Sequence, residues 1–305
     1  YAIHGRGGDG GEGFGGTALV SVTGVDGYVL FGDDIFDVEG VGGNGASGVN
    51  DASYGTAQGY SGGFGGYAQG GTIEISAIEG QAEILTSGGE GAFLKAGATG
   101  GNGGEGAFND YGTDPTFGGN AGFAGDATGG TVRLTAEGGQ INVFDNDALH
   151  ILVPGVGGQG NSGGAGHIVT SIDPMTGQTI TAGGNGFSTG QQAGFGGLIA
   201  FTARDIDDAL GLISLTTAEL DVSGDISGRV ELRDESLGSG IEADYLDVLA
   251  SGGTSVGNLS EFNLAGSGVY VSSTDAPIHI AQDMTLNGGG RFFVDAANSG
   301  GLYVD

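Results

Sequence analysis

The segment Gly70-Gly71-Thr72-Ile73-Glu74-Ile75-Ser76-Ala77 decides the fold. After the glycine pair, apolar and polar side chains alternate with a period of two, as in a strand with one buried face. The phrase recurs. Gly15-Gly16-Thr17-Ala18-Leu19-Val20-Ser21-Val22 precedes it, and Gly129-Gly130-Thr131-Val132-Arg133-Leu134-Thr135-Ala136 follows. A weaker copy is Gly196-Gly197-Leu198-Ile199-Ala200-Phe201-Thr202-Ala203. The copies are unevenly spaced, so the repeat length drifts while the strand does not.

Reading outward, a second strand follows a short turn: Tyr28-Val29-Leu30-Phe31, Ala82-Glu83-Ile84-Leu85, Ile141-Asn142-Val143-Phe144 and Leu212-Ile213-Ser214-Leu215. A third comes soon after: Ile35-Phe36-Asp37-Val38, Ala92-Phe93-Leu94-Lys95, Leu149-His150-Ile151-Leu152 and Glu219-Leu220-Asp221-Val222. Three short strands per repeat suit the three faces of a coil. One coil cannot bury its apolar side alone, whereas coils stacked about 4.8 Å apart can. The expected fold is all-β, a right-handed parallel β-helix (β-solenoid) with long glycine-rich insertions.

The insertions have their own rhythm. Glycine supplies 73 of 305 residues, against an ordinary usage of about 7%. It falls every third residue at Gly7, Gly10, Gly13 and Gly16, and again at Gly97, Gly100, Gly103 and Gly106. Gly157, Gly160, Gly163 and Gly166 repeat the pattern. A period of three matches a left-handed extended helix with three residues per turn. Each insertion then reads as a hairpin of two polyglycine-II-like arms, leaving after the third strand and returning before the next glycine pair. Arms of about 10 residues reach roughly 30 Å and would pack beside the solenoid. The competing reading is a set of flexible loops. Aromatics punctuate the arms at Phe14, Tyr60, Phe64, Tyr67, Phe108, Phe117, Phe123, Phe187 and Phe195. Packing between arms is the expected role of these rings, ahead of exposure as a contact surface.

Glycine thins out near residue 200. Residues 1–200 read as coils with long insertions, and 201–305 as plainer coils of the same fold, such as Tyr245-Leu246-Asp247-Val248-Leu249. The opening Tyr1 and the strand-like close Gly301-Leu302-Tyr303-Val304-Asp305 suggest a piece of something longer.

Composition narrows the partners. Seven basic residues against 37 acidic give a net charge of -30, which repels nucleic acid and anionic lipid. Cysteine is absent, so no disulfide framework staples the chain, and no apolar run is long enough for membrane insertion.

The glycine-pair strand starts, the glycine-rich insertions and the phrase Ala218-Glu219-Leu220-Asp221-Val222-Ser223-Gly224-Asp225-Ile226-Ser227-Gly228 resemble filamentous-haemagglutinin-like and autotransporter-like exoproteins of Gram-negative bacteria. The resemblance covers most of the chain and lies in composition and rhythm. It implies a right-handed β-helix exported to the cell surface for adhesion, aggregation or biofilm structure. The secretion domain of a two-partner exoprotein and the carboxyl-terminal barrel of an autotransporter are missing from this sequence.

Chemistry is sparse. Asp33, Asp34 and Asp37, then Asp145 and Asp147, then Asp205, Asp207 and Asp208 cluster beside predicted turns. Aspartate is favoured there for backbone hydrogen bonding. The clusters are weak calcium candidates, and no other cofactor is expected. A carboxylate pair on a β-helix could also serve a polysaccharide-acting enzyme. Clusters that recur in three repeats behave as turns, however, and the expectation is no enzyme. His4, His150, His167 and His279 lack zinc spacing. Gly253-Thr254-Ser255-Val256-Gly257 matches a nucleophile elbow but no helix pattern follows, so it reads as a turn. Threonines form no long ladder of the kind an ice-binding face requires. The leading expectation is an extracellular structural or adhesive fibre whose partners are copies of itself or adjoining repeats, with surface glycans or receptors as ligands. The alternatives are a phage or cell receptor-binding module and, third, the enzyme.

Overall fold

The computed structural model describes residues 6–32, 36–49, 59–85, 91–109, 115–144, 148–172, 178–225, 228–235, 241–250, 255–256, 268–273, 278–280, 291–295 and 302–304. Among them there are strands, turns and extended segments and no helix.

The strand after each glycine pair joins one parallel sheet. Its members are Thr17–Thr23, Thr72–Ile78, Thr131–Glu137, Leu198–Arg204 and Arg229–Glu235, continued by Ser255–Val256, Ile278–Ile280 and Leu302–Val304. Thr17 lies beside Thr72, Thr131, Leu198 and Arg229 in successive strands. Like positions therefore stack. Ile73, Val132, Ile199 and Val230 form one inward column, and Ile75, Leu134 and Phe201 the next, none more than 1% exposed. Burying one such side chain stabilises by about 1.5–3 kcal/mol. A slip of one residue would turn each of them to solvent, so burial fixes the register.

The second and third strands of a coil do not form separate faces. Both lie in one second sheet, where Tyr28–Phe31, Gln81–Leu85 and Gln140–Phe144 stack beside Phe36–Asp37, Ala92–Lys95 and Leu149–Leu152. In the next coil, Leu212–Asp221 is a single strand that pairs with Gln140–Asn142 at one end and Leu149–Leu152 at the other. Thr216-Thr217 stands there where the sequences of the earlier copies carry glycine or aspartate, and β-branched residues favour an extended backbone. The two sheets enclose one continuous apolar core. Ile241–Ala250, Gly268–Ser273 and Arg291–Asp295 continue the second sheet without long insertions.

The insertions are arms. In chain order they are arm 1 (6–16), arm 2 (38–49), arm 3 (59–71), arm 4 (96–109), arm 5 (115–130), arm 6 (153–168) and arm 7 (183–197). Odd arms return to the solenoid and lie parallel in one layer. Even arms leave it and form a second layer, antiparallel to the first. Within the odd layer Gly7 and Gly10 donate N–H bonds to the carbonyls of Ser61 and Phe64, and Gly62 and Gly65 to those of Asn120 and Phe123. Within the even layer Gly45 donates to Asn102 and Gly103 to Gln159. A further set joins the layers: Gly63 donates to Ala46, Gly104 to Gly63, Gly122 to Gly104 and Gly164 to Gly119. Between arms 6 and 7 the tip is an antiparallel pair, Val169–Ile172 with Thr179–Ala182.

Through residues 62–68, 100–108 and 118–127, two positions of every three hold glycine or alanine. A Cβ on Gly101 would lie 2.0 Å from the Gly43 oxygen, and one on Gly122 would lie 1.8 Å from the Gly63 oxygen. The remaining third faces solvent. Along arm 4, Asn102, Glu105 and Phe108 are exposed while their described neighbours are buried.

Candidate contact surface on the glycine-arm bundle

The close approach of the arms dictates where side chains go. Where even a Cβ meets backbone, a ring has no room, so the aromatics stand outward rather than between arms. This corrects the packing role expected for them. Phe14, Phe64, Phe123 and Phe187 are 63%, 45%, 57% and 79% exposed. Phe117 on the same layer and Phe108 on the even layer are exposed too, while Tyr60, Tyr67 and Phe195 are half-buried.

On the outer face of the odd layer the rings are in contact with one another. Phe64 and Phe123 occupy equivalent positions of arms 3 and 5, with ring centroids 6.0 Å apart. The Arg6 guanidinium lies 4.3 Å from the Phe64 centroid and pairs with Asp9 at 2.7 Å. Phe14 meets Tyr67 at 6.3 Å. Short polar side chains cover the outward backbone N–H groups between these rings. Asp9 Oδ1 accepts from Phe64 N–H, Asn120 Oδ1 from Phe187 N–H and Asp126 Oδ1 from Ala193 N–H. The even layer does the same with Asn44 Oδ1, which accepts from Asn102 N–H, and Asn102 Oδ1, which accepts from Gln159 N–H. These caps were missed at the sequence level. Their signal is an Asn or Asp in the one slot of three that glycine leaves open.

Of the aspartate candidates, Asp37, Asp205, Asp207 and Asp208 lie among the described residues. Asp37 Oδ1 accepts from Glu39 N–H and Asp205 Oδ1 from Gly211 N–H, both local turn contacts. Asp207 holds φ at 53° in the same turn, beside Asp208. Asp33, Asp34, Asp145 and Asp147 lie outside the described residues. Among the described residues no three His, Cys, Asp or Glu side chains gather as a metal set.

His150 Nδ1 lies 2.9 Å from Glu219, and its ring stacks on Phe93 at 4.6 Å. Ser255, read as part of a turn, instead lies on a strand of the first sheet, paired with Arg229 and His279. His4, Gly253, Thr254 and Gly257 lie outside the described residues. A cavity of about 310 Å³ opens at the base of arms 6 and 7, between Val156, Gln191 and Asp225. No described helix is long and apolar enough to cross a membrane.

No family model matches the chain, and no curated protein matches it. Among solved structures, a springtail antifreeze protein from Granisotoma rainieri, described as a nine polyproline type II helical bundle, is 21% identical. The match covers 61% of this chain and 90% of that one with a TM-score of 0.09, too low to relate the two folds.

Proposed function

We propose that this chain is a structural and adhesive segment of an extracellular bacterial surface fibre, acting in cell adhesion, aggregation or biofilm structure without catalysis. In this reading the coil is a right-handed parallel β-helix, the arms are polyglycine-II-like, and the style is that of haemagglutinin-like exoproteins. The observation that carries it is the unslipped register of equivalent strands from Thr17 through Thr72, Thr131, Leu198 and Arg229. Stacking of this kind adds length along one axis, and adjoining repeats or further copies are its natural partners. Adhesion is supported by the outward rings of the odd layer, which offer a flat aromatic surface to a glycan or receptor.

Cryo-electron microscopy of the native surface material tests the fibre. Filaments with a rung spacing of about 4.8 Å and right-handed coils are expected, and discrete compact particles would refute the reading. The same ring face favours a second reading, a phage or cell receptor-binding module. Replacing Phe64 and Phe123 together by serine separates the two. A fibre keeps its filaments and loses attachment, whereas a receptor-binding tip loses attachment and never showed filaments.

A further inference from the structure

The two sides of the arm bundle are finished differently. On the trailing side, arms 6 and 7 are closed off. Ser188 Oγ accepts from Gly163 N–H and Asn185 Oδ1 from Gly166 N–H, groups that in interior arms donate to a following arm. Asp225 Oδ2 takes the Gly194 N–H, and the Ser223 carbonyl takes that of Gly155. Asn185, Ser188 and Gln191 also stand where interior odd arms carry glycine, at Gly62 and Gly65 in arm 3 and at Gly118 in arm 5. Their side chains fill the lane a further arm would need.

The leading side, formed by arms 1 and 2, has none of this. Among the described residues nothing accepts from the N–H groups of Gly8 and Gly11, and nothing donates to the carbonyls of Asp9, Glu12, Val41 and Asn44. The corresponding groups of arms 3 and 4 are paired: Gly63 and Gly66 donate to Ala46 and Gly43, and the Asn102 carbonyl accepts from Gly45. Gly8 and Gly11 are glycines without a local reason, since a Cβ on either meets nothing within 4 Å. In arm 3 the equivalent Gly63 and Gly66 are pressed at 2.0 and 1.9 Å by arm 1 itself.

We propose, resting on the fibre reading above, that the face of arms 1 and 2 is a docking surface for one more pair of glycine-rich arms, one in each layer, supplied by an adjoining repeat of the same polypeptide. The even-layer arm donates to the carbonyls of Val41 and Asn44 and accepts from Gly8 and Gly11. The odd-layer arm lies over Gly8 and Gly11 and donates to Asp9 and Glu12. The trailing face of a second copy is not the occupant, because Asn185, Ser188 and Gln191 occupy its lane and four of its donors, Gly155, Gly163, Gly166 and Gly194, already have acceptors.

The test adds a copy of residues 59–115, which is one return arm, its coil and one outgoing arm, directly before Arg6. Hydrogen exchange followed by NMR should show the Gly8 and Gly11 amides slowed at least 10-fold relative to the chain without the addition. Gly11→Leu should leave the original chain's melting temperature unchanged but abolish that slowing in the extended chain. If the added coil stacks while Gly8 and Gly11 exchange at their original rate, or if Gly11→Leu is neutral in both chains, the proposal fails. Sedimentation of the original chain examines the other source. Concentration-dependent association that Gly11→Leu removes would overturn the same-polypeptide assignment in favour of a second molecule.

Discussion

Replacing Gly122 by alanine should unzip arm 5 from arm 3. The new methyl would sit 1.8 Å from the Gly63 oxygen, whereas carbon and oxygen rest at about 3.3 Å even in a close Cα–H···O contact. The arms must part locally by about 1.5 Å to admit it. Gly62 donates to Asn120 at 2.9 Å and Gly65 to Phe123 at 2.7 Å, and both bonds flank the insertion. An opening of that size takes them beyond hydrogen-bond range. Two lost bonds at about 1 kcal/mol each, with their buried groups left partly unsatisfied, give a loss of about 2–5 kcal/mol. Gly190→Ala is the matched control, the same change in arm 7 at a position where a Cβ meets nothing within 4 Å. It should be neutral or stabilise by about 0.4–1 kcal/mol through the unfolded chain. Urea unfolding gives the two differences, and amide exchange at Gly62 and Gly65 locates the first. A Gly122→Ala protein within about 0.5 kcal/mol of the Gly190→Ala protein, with those amides still protected, would refute the close-packed account of the arms.

Glu79 holds φ at 55° where the equivalent positions in neighbouring coils are Gly24 and Gly138, with φ of 81° and 57°. Glu79→Gly should therefore raise stability by up to about 1 kcal/mol, after the flexibility glycine adds to the unfolded chain, readable as a higher melting temperature. Phe201→Ala removes a ring that is 1% exposed between the two sheets and should cost about 3–5 kcal/mol, measured by urea unfolding. The Tyr28 hydroxyl donates to Glu83 at 2.5 Å, and that bond raises its pKa above the usual value of 10.0. Its contribution is whole below the unfolded value and fades as pH climbs through the folded one. Difference absorbance titration against Tyr28→Phe should assign to Tyr28 a phenol that ionises above 10.0, and a difference curve centred at or below that value would contradict it.

The solenoid strands were legible because their alternation is local and repeated, so that Ile73, Val132 and Ile199 declare the same face in each copy. The union of the second and third strands was hidden, because Leu212–Asp221 and Ile241–Ala250 run unbroken where the earlier copies read from sequence as two separate strands. The arms were legible from their three-residue glycine period. The placement of the rings was misread from that same period. Two glycine slots of every three are filled by neighbouring backbone, so Phe64 and Phe123 occupy the slot that must face water. Of the aspartate clusters, Asp37 and Asp205 each give one oxygen to a nearby backbone N–H, a use that no spacing rule distinguishes from a cation ligand.

The matched register of arms and coils has a mechanical meaning. Gly13 stands beside Ala68 with the same offset that sets Thr17 beside Thr72, so both ladders run along one axis. A pull along that axis is shared between two columns of hydrogen bonds set side by side, one around the apolar core and one through the arms. The second column lies off the core's centre line, so the segment resists bending more in the plane containing both columns than across it. Among the described residues beyond arm 7, only the column around the core continues. Pulled along that axis, the chain would yield there first, leaving the armed stretch straight.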